Sequence, residues 1–217
     1  MSDRSCRPSP RIGTVENYHH HWLFLIWFAY FAGFILVEHL VPTTGYWVSY
    51  IPLDDRIPFV PAFILCYCMW FPLLAAMSLY LAFFDAVTFK KFMLSIALGF
   101  LPVLLFNYLF PNGQDLRPVL PAQKDLFTFL IAGIYAADTN TNVMPSMHVI
   151  GCADLVAAAV CCPALKKRKL HWVMLVLGIL VSVSTVFIKQ HSVLDLLAAL
   201  PYSALVLLLV YLPKKKA

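Results

Sequence analysis

The sequence predicts an all-α integral membrane protein, a bundle of six transmembrane helices with a candidate active site on the extracytoplasmic side. Of its 217 residues, 61% are hydrophobic and only 12% are charged. The mean hydropathy of +0.79 is far above that of a soluble domain of this length. The basic residues are also unevenly distributed along the chain, and that distribution predicts the orientation of the bundle.

Five apolar stretches each reach or exceed the roughly 17–25 residues that a helix needs to cross a bilayer. They are residues 22–41, 57–84, 92–110, 170–188 and 193–212. A sixth, residues 145–165, contains His148 and Asp154 but is otherwise apolar, so six spans are predicted. The apolar stretch Leu126–Ala137 is too short to cross, and we expect an interfacial or re-entrant helix beside the site.

The orientation of the bundle follows from the positive-inside rule. In a six-span arrangement, twelve of the sixteen Lys and Arg residues fall on one side: Arg4, Arg7, Arg11, Lys90, Lys91, Lys166, Lys167, Arg168, Lys169 and the lysines of 214–216. The other side receives Arg56, Arg117, Lys124 and Lys189. Both termini are therefore predicted to lie in the cytoplasm. The expected location of the protein is the plasma membrane. The net charge of +5 reflects this topology, and nothing in it indicates a nucleic-acid partner.

The chain shows no internal repeat or linker, so one membrane domain is predicted at residues 19–217, after a polar cytoplasmic tail at 1–18. Two acidic positions lie near the extracytoplasmic side. Glu38, near the end of the first span, either extends to water or lines a substrate entrance. Asp54 precedes an apolar stretch, which is typical of an acidic residue at a helix N-terminus.

Three short segments on the extracytoplasmic side carry the residues of a candidate phosphate site. Ser146 follows a proline at a predicted helix start, where free backbone amides can bind an anion, and His148 lies two residues further on. His191 and Asp195 are four residues apart, so both side chains lie on one helical face, where the carboxylate can orient the imidazole. Arg117 supplies a cation. Ionisable groups are costly near lipid, so their clustering indicates chemistry.

These segments resemble the signatures of the type 2 phosphatidic acid phosphatase superfamily, K-x6-R-P, P-S-x-H and S-R-x5-H-x3-D. The matching residues here are Arg117-Pro118, Pro145-Ser146-x-His148 and Ser184-Thr185-x5-His191-x3-Asp195. The resemblance implies a metal-independent, cofactor-free membrane phosphatase that hydrolyses a lipid phosphomonoester or diphosphate through a phosphohistidine. It implies that His191 is the nucleophile, that Asp195 orients it and that His148 protonates the leaving group. Arg117, Ser146 and Ser184 would then hold the phosphate.

The chain departs from these signatures at two positions where a cation is expected. Phe110 stands in place of the lysine, and Thr185 stands in place of the arginine. Lys189 is the first candidate to replace the missing charge and Lys124 is the second. The segment from Ser184 to His191 is also similar to the inositol phosphorylceramide synthases of fungi, which transfer a phosphoryl head group between lipids.

Three alternatives to the phosphatase therefore remain open. A lipid head-group phosphotransferase is implied by the second resemblance. A non-enzymatic membrane protein with a residual anion site is compatible with Phe110 and Thr185. A metal-dependent hydrolase that uses His148, His191 and Asp195 as ligands is disfavoured, since the sequence has no H-E-x-x-H motif and Arg117 would repel the metal.

Overall fold

The structure is a computed structural model that describes residues 15–122 and 125–212. Most of the expected N-terminal tail, Lys124 and the lysines of 214–216 lie outside the described residues. A 3-10 helix, Val15–Phe24, leads into the first α-helix. The α-helices that follow are α1 (Leu25–Leu40), α2 (Ile64–Cys68), α3 (Trp70–Phe84), α4 (Ala86–Leu109), α5 (Leu126–Ala137), α6 (Met147–Cys161), α7 (Pro163–Lys167), α8 (Leu170–Phe187) and α9 (Val193–Tyr211).

Five helical segments are long and apolar enough to cross a membrane. They are His19–Leu40, Pro61–Phe84, Ala86–Leu109, Leu170–Phe187 and Val193–Tyr211. They coincide with the five apolar stretches expected to be spans, so a mainly helical chain suited to a lipid bilayer is confirmed. The sixth expected span corresponds to α6, which has only 15 residues. At 1.5 Å per residue it is about 22 Å long, and its crossing of the membrane stays a prediction.

Helix α6 is the central element of the bundle. It packs against α3, α4, α8 and α9, and most of its side chains are buried. Its first turn lies beside the α8–α9 turn, whereas Cys162, which follows its last residue, lies near Asp85 at the start of α4. Helix α6 therefore extends from one end of the bundle to the other, although it is shorter than its neighbours.

Two prolines explain local features of the surrounding helices. Pro72 has no amide hydrogen and its ring clashes with the carbonyl of residue 68, which is where α2 ends and α3 takes over. Pro102, inside α4, likewise leaves the Leu98 carbonyl without its helical donor. The Tyr202 hydroxyl of α9 donates to that carbonyl at 2.6 Å, so the interruption in α4 becomes a contact between helices.

The loops at one end of the bundle are held together by a small amount of β structure. Strand β1 (Trp47–Val48) pairs in parallel with β2 (Asn112–Gly113), and Gly113 forms a bridge to Thr141. The buried Asn112 side chain accepts hydrogen bonds from the amides of Val143 and Met144 at 3.0 and 2.8 Å. These contacts position the loop that enters α6. The other end of the bundle carries the basic residues 90–91 and 166–169.

Helix α5 has the bounds expected from the sequence. Its N-terminus is capped by the Asp125 carboxylate, which accepts from the Thr128 amide at 2.8 Å. Its buried Ile131 packs with Ile64 and Ile188, so α5 lies over the site end of the bundle. Whether α5 is interfacial or re-entrant with respect to a membrane stays a prediction.

The close approach of α6 to α3 depends on Gly151. A Cβ atom there would lie 2.8 Å from Trp70 Nε1 and 3.1 Å from Phe100 Cζ. We expect Gly151→Ala to lower the thermal unfolding midpoint, because overpacking reduces the free energy of unfolding by about 1–3 kcal/mol. Gly133→Ala in α5 is the control, since nothing lies within 4 Å of the added carbon. Equal midpoints for the two variants would contradict the tight packing of α6.

Candidate active site

The turn between α8 and α9 places His191 at the site end of the bundle. Lys189 adopts a left-handed conformation with φ of 57°, and the amides of Lys189 and Gln190 donate to the carbonyls of Val186 and Thr185. This pair of bonds is the Schellman motif, which ends α8. Ser192 then caps α9 in a capping box with Asp195. The two helices therefore change direction within five residues, and His191 lies at the point of reversal.

Asp195 fixes the orientation of the His191 ring. Its Oδ2 accepts from the Ser192 amide at 2.9 Å and lies 3.1 Å from His191 Nδ1. Its Oδ1 accepts from the Ser49 hydroxyl, and the carboxylate is fully buried. An ionised carboxylate only accepts hydrogen bonds, so this contact favours the tautomer of the neutral imidazole that has its proton on Nδ1 and its lone pair on Nε2.

His148 faces the free nitrogen of His191. Its Nδ1 lies 3.3 Å from His191 Nε2, and its ring lies against those of Tyr67 and Trp70, with centroids 4.6 and 4.3 Å away. Both aromatic residues come from the region of the α2–α3 break, so Pro72 indirectly positions them. The catalytic residues expected from the sequence, His191, Asp195 and His148, are thus brought together in one chain of contacts.

Arg117 lies next to this group and is anchored to the end of α5. Its Nη2 donates to the carbonyls of Asp138 and Thr139 at 2.8 and 2.6 Å and to Gln190 Oε1 at 2.7 Å. Its guanidinium also lies over the Tyr135 ring, 4.3 Å from the centroid. Its Nε is buried and has no hydrogen-bond partner among the described residues.

Ser146 is the N-cap of α6, and its amide donates to the Asp195 carbonyl at 3.1 Å. Its hydroxyl is buried and, within the described chain, unpaired. Ser184, in contrast, donates its hydroxyl to the Val181 carbonyl at 2.6 Å, which is a bond within α8. The sequence assigned both Ser146 and Ser184 to phosphate binding. Among the described residues, the Ser146 hydroxyl has no partner, whereas the Ser184 hydroxyl is bonded within its own helix.

The positions that lack the expected cations carry no substitute charge of their own. Phe110 is half exposed and stacks on Phe106, and the Thr185 hydroxyl donates to the Ser182 carbonyl at 2.7 Å. Lys189, the first candidate substitute, directs its ammonium to the carbonyls of Asp54 and Ile57 at 2.8 and 2.6 Å. These bonds hold the 54–57 loop against the α8–α9 turn.

A cavity of about 270 Å³ opens beside the two histidines. Asp138 and Gln190 line it together with His148 and His191. The Asp138 Oδ2 accepts from Gln190 Nε2 at 2.8 Å and from the Tyr67 hydroxyl at 3.4 Å. Burial raises the pKa of the Asp138 carboxyl to about 6, and the negative charge of Glu38 acts in the same direction.

Sequence reasoning missed Asp138, Gln190 and the role of Asp54. The signal for Asp138 was present, since a polar run connects the short helix α5 to the P-S-x-H segment. Asp54 was interpreted as the start of its own helix. It begins a 3-10 turn, but its buried carboxylate also accepts from the Ser192 hydroxyl at 2.6 Å and the Val193 amide at 2.8 Å, so it caps α9.

Glu38 had two interpretations, and the structure gives it a contact partner. Its carboxylate accepts from the Thr139 hydroxyl and from Asn142 Nδ2, both at 2.7 Å. It thus holds the loop between α5 and α6. As for metal ligands, the described part of the chain contains no group of three or more His, Cys, Asp or Glu side chains arranged to hold an ion.

Comparison of this chain with models of known protein families, with curated protein sequences and with solved structures gives no match. The function is therefore argued from the geometry of the site.

Asp138 gives a testable dependence of stability on pH. Its pKa of about 6 exceeds the ordinary value of 3.8, so ionising it in the folded protein costs roughly 3 kcal/mol. This cost is absent when the pH is below the ordinary pKa of 3.8, develops as the pH rises from 3.8 to about 6, and is complete above that range. Asp138→Asn should therefore raise the thermal midpoint at pH 8 and change it little near pH 4. Asp55→Asn, at an exposed carboxylate, is the control, and an unchanged midpoint for Asp138→Asn at pH 8 would contradict the burial cost.

Proposed function

We propose that this protein is an integral membrane lipid phosphatase that forms a phosphohistidine at His191. The observation that carries the proposal is the chain of contacts Asp195, His191 and His148, in which one nitrogen of His191 is held by a carboxylate and the other faces a second histidine. This arrangement meets the requirements of an activated nucleophile with an acid–base partner. A histidine with a purely structural role would not need its second nitrogen directed at another imidazole beside a cavity.

Two buried donors support binding of the phosphate at this position. Arg117 Nε and the Ser146 hydroxyl both lack a partner in the described residues, and a buried donor left unpaired is costly. A phosphate oxygen would accept from either group. The first amides of α6 add further donors, because the initial amides of a helix have no intrahelical acceptor. In this proposal Ser184 and Lys189 do not contact the phosphate. Ser184 is bonded within the last turns of α8, and Lys189 holds the 54–57 loop against the α8–α9 turn.

The proposed reaction has two steps, formation and then hydrolysis of the phosphohistidine. In the first, His191 Nε2 forms a bond to phosphorus as the bond to the leaving oxygen breaks, and His148 gives that oxygen a proton. In the second, the oxygen of a water molecule bonds to phosphorus, the phosphorus–nitrogen bond breaks, and His148 takes up the water proton. Asp195 stabilises the positive charge that develops on His191, while Arg117 and the α6 amides stabilise charge on the phosphate oxygens. No cofactor takes part in either step.

A head-group phosphotransferase is the second candidate, and the missing cations favour it. Phe110 and Thr185 bear no charge, and Lys189 is occupied by backbone carbonyls. A phosphodiester carries one negative charge where a monoester carries up to two, so it needs fewer cations. In this case a lipid hydroxyl replaces water in the second step. A protein without activity that retains an anion site is the remaining alternative, and turnover on any lipid phosphate excludes it.

We expect the chain to cross the plasma membrane six times, with both termini in the cytoplasm and the site outside. Helix α6 supports the even count because it runs between the two ends of the bundle. The basic residues 90–91 and 166–169 at the end opposite the site support the orientation.

Cysteine labelling tests this orientation. Single cysteines replace Val119, which is fully exposed at the site end, or Lys167, which is exposed at the basic end, in a cysteine-free background. An impermeant thiol reagent applied to intact cells should label the variant at 119, and the variant at 167 should react only after lysis. The opposite pattern would place the site on the cytoplasmic side.

Substitution of the nucleophile tests the mechanism. His191→Ala should abolish turnover on lipid phosphates by purified protein in liposomes, because nothing else forms the phosphohistidine. Asp195→Asn should leave a small residual rate, since it removes orientation and charge rather than the reacting atom. Phosphate released from phosphatidic acid, with a chelator present, is the measurement. His39→Ala, at an exposed histidine near the site end, should keep the full rate. Wild-type activity in a folded His191→Ala protein would refute the assignment.

A further inference from the structure

We propose that the cavity beside His191 binds a choline-type ammonium group, so that the preferred substrate is a zwitterionic phosphodiester lipid. This inference rests on the proposed phosphoryl chemistry and names the head group on which it acts. It follows from three observations: a carboxylate on the cavity wall with no ion pair among the described residues, a set of aromatic rings on the same wall, and the uncharged residues Phe110 and Thr185 where cations were expected.

The carboxylate is that of Asp138. Its hydrogen-bond donors, Gln190 Nε2 and the Tyr67 hydroxyl, are both uncharged. Arg117 bonds to the backbone carbonyl of Asp138, not to its side chain, and no ion pair to this carboxylate occurs among the described residues. A buried carboxylate is normally paired with a cation. Asp138 lines the cavity, where a ligand can supply that charge.

Aromatic side chains form much of the remaining wall. They come from α1, α2 and α3, and are Tyr30, Phe34, Tyr67, Trp70 and Phe71. Among the described residues that line the cavity, none is a lysine or an arginine. Aromatic faces attract cations, and rings arranged around a quaternary ammonium are a common way to bind choline. An aromatic wall with one carboxylate therefore matches a bulky, weakly hydrated cation better than it matches a sugar or a second phosphate.

Charge balance across the site points to the same head group. Arg117 and Asp138 lie side by side, since both side chains bond to Gln190. Arg117 with the α6 amides suits one negative charge, and the neighbouring Asp138 suits one positive charge, as in a head group whose phosphate and ammonium are adjacent. A phosphomonoester would bring a second negative charge close to Asp138 and Glu38, which would repel it. This head group would also explain the uncharged residues Phe110 and Thr185. A phosphodiester that has its own ammonium group does not need the lysine and the arginine that these two residues replace.

A phosphocholine lipid would react in the same two steps. His191 Nε2 bonds to phosphorus, the oxygen of the diacylglycerol leaves and takes a proton from His148, and phosphocholine stays on His191. Water or a lipid hydroxyl then bonds to phosphorus and returns a proton to His148, and the phosphorus–nitrogen bond breaks. Throughout, the ammonium group stays against Asp138 and the rings.

The aromatic wall could instead surround an acyl chain, and the choice of ligand separates the two. Calorimetric titration of the purified full-length protein in detergent would use choline and its uncharged analogue 3,3-dimethylbutanol. We expect choline to bind at least about tenfold more tightly than the analogue. Asp138→Asn should weaken choline binding about tenfold, and Phe71→Leu should weaken it severalfold. Asp55→Asn and Phe110→Leu, which change an exposed carboxylate and an aromatic ring outside the cavity, should bind choline as the wild type does.

A second arm measures turnover in liposomes of phosphatidylcholine, phosphatidylglycerol or phosphatidic acid. We expect phosphatidylcholine to be the preferred substrate, with the preference lost in Asp138→Asn. Choline binding that requires Asp138 supports the inference even when turnover is absent, in which case the proposed reaction alone fails. Equal binding of the uncharged analogue, or unchanged choline binding in a folded Asp138→Asn protein, overturns the inference. Turnover of phosphatidic acid without choline binding leaves the phosphatase proposal standing and overturns the ammonium site.

Discussion

The buried side chain of Asp195 connects the parts of the protein that make up the site. Its carboxylate receives hydrogen bonds from the start of α9, from His191 and from Ser49 in the loop after α1. Its backbone carbonyl accepts from Ser146 at the start of α6. Three segments that are distant in sequence therefore meet at one residue. The orientation of His191 and the packing of the bundle end depend on the same few bonds, so neither can change without the other.

A second set of contacts holds the α8–α9 turn from outside. Asp54 caps α9 through Ser192 and Val193, while Lys189 binds the carbonyls on either side of the same loop. The left-handed backbone at Lys189 is unusual for a residue with a side chain. Its ammonium is placed on the 54–57 loop by that conformation, which gives a structural reason for a lysine where a glycine is common.

The sequence predicted the long helices and the contact between His191 and Asp195 because both depend on local spacing. Apolar length gave the five long segments, and the four-residue interval between His191 and Asp195 gave a contact that the structure contains. The cavity could not be predicted in this way. Tyr67 and Trp70 reach His148 only because the segment ending at Phe84 is broken near Pro72, and a hydropathy profile treats that segment as continuous. Asp138 was missed because its partners Gln190 and Tyr67 are about fifty or more residues away.

The short length of α6 affects the supply of water to the site. Helix α6 is about 22 Å long and α4 about 36 Å, at 1.5 Å per residue. Because α6 reaches the basic end of the bundle beside Asp85, its other end, with His148, is recessed below the end of α4. The loops 110–122 and 138–146 cover that recess. In the six-span arrangement that we propose, this recess would place His148 below the ends of the longer helices, further from bulk water than their termini. Under the proposed mechanism, the depth of one helix start would then influence whether the phosphohistidine reacts with water or with a second lipid.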